Sequence, residues 1–156
     1  MKIHLGCDHA GFELKEKVAK HLQKNGHEVI DHGAKTHDAL DDYPVFCFLA
    51  AQAAAKDPNS LAIVIGGSGN GEQIAANKIK GVRAALAWSV ETAQLARQHN
   101  NANVIGLGGR MHTENDSLAI IDAFINTDFS GDQRHLRRIN QISDYENGGQ
   151  MPPLPN

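Results

Sequence analysis

Ile63-Val64-Ile65-Gly66-Gly67-Ser68-Gly69-Asn70-Gly71-Glu72-Gln73-Ile74-Ala75-Ala76-Asn77-Lys78 decides how this chain is read. An uninterrupted apolar run marks a strand covered on both faces. It ends in a turn with glycine at four of six positions, 66–71. The turn opens a helical stretch that carries a carboxylate, Glu72, in its first turn. Glycines let a backbone come close to a ligand, and the start of a helix presents free N–H groups to an anion. A carboxylate beside such groups can take a proton while they stabilise the resulting negative charge. That layout suits chemistry next to a carbonyl on a small anionic substrate. Glu72 also has a plain reading, because acidic residues complement the dipole at a helix start. The two readings explain it about equally well.

Working outward, strands and helices alternate. Strands are predicted at Ile3–Cys7, Glu28–Asp31, Leu61–Ile65, Arg83–Trp88 and Val104–Leu107. Helices are predicted at Phe12–Lys24, Val45–Ala55, from Gly71 to about Ile79, Val90–Gln98, Glu114–Ile125 and Gln133–Gln141. The alternation implies one α/β domain over residues 1–146: a three-layer α/β/α Rossmann-like fold with a five-stranded parallel sheet. Residues 147–156 read as a loosely held tail. Ligands in such folds bind beyond the carboxyl ends of the strands, where strand order reverses. If strands one and three flank that point, Gly6-Cys7-Asp8-His9-Ala10-Gly11 meets the 66–72 turn.

The chain has 156 residues and a formal net charge of −3. That size suits one core, and that charge offers no bulk attraction to nucleic acid or an anionic membrane. No apolar run is long enough to span a bilayer. Cys7 and Cys47 form no CxxC pair, which fits a reduced, cytoplasmic protein. His4, His21, His27, His32 and His37 show no metal-ligand spacing, so no metal is expected. His21 and His27 read as surface residues.

Other groups carry two readings each. The turn lacks the Gly-Lys-Ser/Thr ending of a P-loop and the final glycine of a hydrolase elbow, so Ser68 reads as a hydrogen-bonding residue rather than a nucleophile. Asp8 is a helix N-cap or a ligand contact. His9 beside it suggests ligand contact. Arg134 and Arg138 share one helix face, either as a solvated basic face or as a fork for phosphate. Arg110 follows Gly108-Gly109 at a strand exit. His99-Asn100-Asn101 is a helix C-cap or part of a site. A dinucleotide-binding module is disfavoured because the first turn is not G-x-G-x-x-G, although Asp31 sits near the place of a ribose-binding acid.

The stretch Gly66 to Lys78 closely resembles the signature of the ribose-5-phosphate isomerase B family, which includes the lactose-pathway galactose-6-phosphate isomerase subunits. Gly6 to Gly11, Asp42-Tyr43-Pro44, Gly81-Val82-Arg83, His99-Asn100, Gly108-Gly109-Arg110, and Arg134 with Arg138 match in order. The resemblance implies interconversion of ribose 5-phosphate and ribulose 5-phosphate through an enediolate, a pentose phosphate pathway step, with no cofactor and no metal. In one branch of the family a cysteine directly after strand three is the base. Here that position is Gly66, so the chain resembles the branch whose glutamate matches Glu72. The implied roles are Glu72 as base and Ser68 with the amides around Gly67, Gly69 and Gly71 on the enediolate oxygens. His99 would open the furanose ring with Asp8. His9, Arg110, Arg134 and Arg138 would grip phosphate, and Tyr43 and Asn100 would line the sugar pocket. The family places the site between subunits, implying a homodimer or tetramer in which His99 and Arg110 come from a partner chain. Allose 6-phosphate, galactose 6-phosphate and erythrulose 4-phosphate remain alternative substrates.

Overall fold

The computed structural model describes residues 1–154. Five strands alternate with six helices: β1 (Lys2–Cys7), α1 (Phe12–Lys24), β2 (Glu28–Asp31), α2 (Tyr43–Lys56), β3 (Ser60–Gly66), α3 (Asn70–Ala76), β4 (Ala84–Leu86), α4 (Val90–Asn100), β5 (Val104–Gly108), α5 (Glu114–Ile125) and α6 (Gln133–Glu146). All strand pairs are parallel, in the order β2-β1-β3-β5-β4. The strand order reverses between β1 and β3, so their exits adjoin, which meets the condition set by the sequence reading. Among the described residues no helix is long and apolar enough to cross a membrane.

Side-chain alternation along β3 divides the core. Leu61, Ile63 and Ile65 join Ile3, Leu5, Val18, Leu22, Ile121 and Phe124 beneath α1, α4 and α5. Ala62 and Val64 point the other way, into a thinner layer with Cys47, Ala50, Ala51, Ala54 and Ala75 of α2 and α3. This period of two is what a strand buried on both faces requires. Small alanines let α2 sit close to the sheet, and its outer face is left apolar: Val45, Phe48 and Leu49 are exposed.

Several boundaries differ from the sequence reading. Helix α2 starts at Tyr43, because Pro44 fits a helix's first turn. Helix α3 starts at Asn70 and stops at Ala76, so Gly71 lies inside its first turn. Strand β4 is only three residues long. Helix α6 continues to Glu146, where the Glu146 carboxylate accepts the Gly81 amide at 2.9 Å. Beyond it Gly149 N–H donates to Asp144 O, while Met151 and Leu154 are exposed. Residues 155–156 of the expected tail lie outside the described residues. His21 is no free surface residue, since it meets Asp122 of α5 at 2.8 Å.

His4 and His32 face each other across β1 and the end of β2, with Nδ1 and Nε2 3.0 Å apart. Burial is the main force holding both imidazoles below the usual histidine range; the neighbouring His32 lowers His4 further. A histidine whose folded value is lowered binds protons more readily when unfolded, so stability rises with pH through that region. Urea unfolding should therefore show a lower midpoint at pH 5.5 than at pH 7.5. A His4→Phe variant should flatten that slope.

Candidate active site

The strand β3 exit builds the centre of the site. Gly69 caps α3 with φ of 81°, a left-handed conformation that favours glycine. A Cβ there would lie 2.8 Å from the Leu107 carbonyl carbon, so side-chain-free backbone is needed on both counts. The turn directs Glu72 back onto the end of β3. Its side chain is buried, and a Cβ built on Gly66 would lie 1.7 Å from Oε1. The carboxyl group thus fills the space of the side chain that Gly66 lacks. Burial pushes its pKa above the usual glutamate value, and the Asp8 charge pushes the same way. The amides of Glu72 and Gly69 act in the opposite sense. A buried carboxyl with a raised pKa is suited to exchanging a proton with carbon.

Neighbouring groups complete this wall. Gly71 has no side chain where the Tyr43 ring lies: a Cβ would sit 2.7 Å from its Cζ and Oη. Ser68 is exposed, and its Oγ accepts from the Asn70 amide at 3.3 Å and side chain at 3.2 Å. Asp8 is buried at the β1 exit, where Oδ1 accepts the amides of Ala10 (2.9 Å) and Gly11 (3.3 Å). It ties down the entry to α1 in the manner of a cap, although the N-cap position itself is Gly11. Burial pushes the Cys7 thiol up to about 11 and the Cys47 thiol further still, with Glu72 and Asp8 adding to the latter. Neither sulfur is a thiolate base at neutral pH.

A cavity of about 380 Å³ opens at the same edge of the sheet, lined in part by His9, His37, Arg110 and His112. Glu72 is not among its lining residues. The loop that walls the cavity bonds to the Glu72 side of the site: Gly109 N–H donates to Gly66 O (2.7 Å) and Arg110 N–H to Gly67 O (3.2 Å). Arg110 Nη1 lies 3.7 Å from the position of a Cβ on Gly67. The expectation that Arg110 comes from a partner chain is therefore corrected. Strand β5 is the immediate neighbour of β3, so its exit loop lies on the chain's own glycine turn.

Four of the predicted site residues fall elsewhere. In a parallel sheet the connecting helix runs back against the strands, so the end of α4 sits at their amino edge. Arg83, just before β4, donates from Nε to Asn100 O at 2.8 Å, which locates that edge. Helix α4 is 11 residues long, so His99 lies roughly 15 Å down the molecule from the edge that carries Glu72. There the His99 ring packs 4.2 Å from the ring of His135 on α6. Arg134 Nη2 lies 3.4 Å from His135 Nε2, and Arg138 follows one helical turn later, exposed. His99, Asn100, Arg134 and Arg138 thus form a second group, separate from Asp8, His9, Tyr43, Glu72 and Arg110.

Residues 3–142 match the family model described as Ribose/Galactose Isomerase. The chain belongs to that family. Relatives called ribose-5-phosphate isomerase B are 61% identical in Mycolicibacterium paratuberculosis, over 99% of this chain and 98% of that one, and 59% identical in Mycobacterium tuberculosis, over 99% and 96%. The crystal structure of ribose-5-phosphate isomerase B from Mycoplasma genitalium with bound ribulose-5-phosphate superposes with a TM-score of 0.90 at 45% identity. That match covers 94% of this chain and 96% of that one.

Some groups at the cavity escaped the sequence reading. Lys17 forms an ion pair with Glu114 at 2.8 Å. His37 sits in a loop whose composition carries no periodic signal. Asp41 contacts His9 from that same loop. The metal-ligating atoms of Asp8, His9 and Asp41 lie within 4.8 Å of one another. They are engaged already, Asp8 with backbone amides and His9 with Asp41, so the trio reads as a hydrogen-bonded support rather than a metal cradle.

Proposed function

We propose that the chain interconverts ribose 5-phosphate and ribulose 5-phosphate through an enediolate, with Glu72 as the base. The observation that carries this reading is the buried Glu72 carboxyl held against Gly66 at the strand exit, beside a cavity bearing His9 and Arg110. The relatives' names and the ribulose-5-phosphate bound to the Mycoplasma genitalium enzyme support the substrate. Glu72 takes the proton from C2 of the open-chain aldose and returns it to C1, while the hydroxyl proton passes from O2 to O1. Ser68 and the amides around Gly67, Gly69 and Gly71 carry the enediolate charge. Phosphate is held remote from the reacting carbons, so its binding energy serves positioning. No step calls on a metal or cofactor.

The working unit in this reading is a homodimer with a shared site. His99, Asn100, Arg134 and Arg138 of one copy serve Glu72 of the other: His99 with Asp8 opens the furanose ring, the arginines join His9 and Arg110 on phosphate, and Asn100 faces Tyr43 across the sugar. Two observations support it. The second group is a helix length from its own Glu72. The outer face of α2 is apolar at Val45, Phe48 and Leu49, and Ile74, on the same helix as Glu72, is exposed. A stripe at helical spacing next to the site suits burial against a second copy. A tetramer would pair two such dimers. Free, buried cysteines suit a cytoplasmic enzyme.

The same base and phosphate grip would serve allose 6-phosphate, galactose 6-phosphate or erythrulose 4-phosphate, so pocket length decides. Comparing kcat/KM across these sugars and ribose 5-phosphate tests the assignment. Ribose 5-phosphate should lead by at least about tenfold. A preference for a hexose 6-phosphate would overturn the pentose assignment while leaving the chemistry standing.

A further inference from the structure

Asp41 lies in the loop between β2 and α2, and nothing in the chemistry above requires a buried carboxylate there. Its Oδ1 accepts two hydrogen bonds from one residue: the backbone N–H of His9 at 2.9 Å and the ring Nδ1 at 2.8 Å. A carboxylate can only accept, so Nδ1 carries a proton. That defines the tautomer and leaves Nε2 as the nitrogen available to the cavity that His9 lines. The Asp41 side chain is 11% exposed, and its Oδ2 is buried without a hydrogen-bond partner among the described residues. Stranding a carboxylate oxygen costs stability. The loop bears that cost at a point whose other contact is His9.

The remaining charges around His9 narrow its task. From α1, Glu13 and Lys17 face the cavity, and from the loop after β5, Arg110 and His112, with Glu114 at the start of α5. Lys17 is paired with Glu114. His37 stands edge-on to the His9 ring, with centroids 6.3 Å apart. Asp8 precedes His9 and is bound to amides. His9 and Arg110 are thus the side chains best placed to meet a phosphate group.

We propose that Asp41 is the positioning residue for His9. It fixes the ring's orientation, with Nδ1 turned to the carboxylate and Nε2 to the substrate's phosphate. The proposal rests on reading the cavity as the phosphate end of the site. Asp41→Ala should raise KM about tenfold while kcat stays within about twofold, and inorganic phosphate should inhibit more weakly by the same factor. Asp41→Asn retains an oxygen acceptor and should recover most of the loss. Nitrogen-15 NMR of the ring should show Nδ1 protonated in the parent and a mixture of tautomers in Asp41→Ala. Adding Asp41→Ala to His9→Ala should cost nothing further. An unchanged KM and an unchanged tautomer in Asp41→Ala overturn the proposal, as does an extra loss in the His9→Ala background, which would mean the carboxylate acts through the loop. If His9→Ala itself leaves KM and phosphate inhibition untouched, the phosphate reading of the cavity fails, and the nitrogen-15 signature alone decides Asp41's hold on the ring.

Discussion

Replacing Glu72 by glutamine should lower kcat for ribose 5-phosphate by about a thousandfold or more, with KM changed little. The amide keeps the shape and the burial but cannot accept a proton from carbon. Stability should not fall. The Glu72 carboxyl has a folded pKa raised by burial, so its contribution to stability is lost as pH rises from the ordinary glutamate value through the raised one. Glutamine has no such loss, and the melting temperature at pH 7.5 should equal or exceed the parent's. The same raised value places the acid limb of the kcat profile above the usual glutamate range, with activity lost as pH falls through it. The shared-site reading enters the same experiment. Glu72→Gln and His99→Ala homodimers should each be slow, yet mixed dimers should regain activity, because one of their two sites receives both intact groups. Retention of full activity by Glu72→Gln removes this residue as the base. Failure of complementation between two folded, mixing variants removes the shared site but not the base.

Gly66→Ala should also damage catalysis, although it adds only one methyl group. That carbon would sit 1.7 Å from Glu72 Oε1 and 2.1 Å from Cδ. The obstacle is the far end of a flexible side chain, so the fold can yield and the carboxyl must move. A displacement of the order of 1 Å at a catalytic group costs about a hundredfold. We expect kcat to fall by about that factor with the melting temperature shifted by only a few degrees. The effect should vanish in a Glu72→Gln background, since no base is left to misplace. Unimpaired turnover by Gly66→Ala would mean that the carboxyl does not work from the place it occupies against β3. A side chain at residue 66 and the Glu72 carboxyl would compete for one volume.

Much of this was legible from residue order. The apolar run 61–65 and its glycine turn announced a central parallel strand leading into a helix, and β3 and α3 are those elements. The adjacency of the β1 and β3 exits stood only as a condition in the residue order, and the strand order β2-β1-β3-β5-β4 met it. Helix ends were less legible. Tyr43 belongs to α2 because Pro44 can occupy a first turn, and α6 extends through Glu146 because its end docks on Gly81. Propensity windows do not see either contact. Asp41 carried no signal at all: one acid in a polar loop becomes distinctive only when its Oδ1 is found on both nitrogens of His9 that can donate to it.

The sequence by itself determined the sheet, its layers, the family, and the set of polar residues that gather at strand and helix ends, because periodicity, turn chemistry and motif spacing are local properties. Only the tertiary structure decided which of those residues lie together in one chain. Strand order put the Arg110 loop onto its own glycine turn, since β5 lies against β3. The antiparallel return of α4 carried His99 to the far edge. The packing of Glu72 into the volume left by Gly66 is a contact between residues whose proximity depends on how one tight turn is wound, and no count along the chain can supply it.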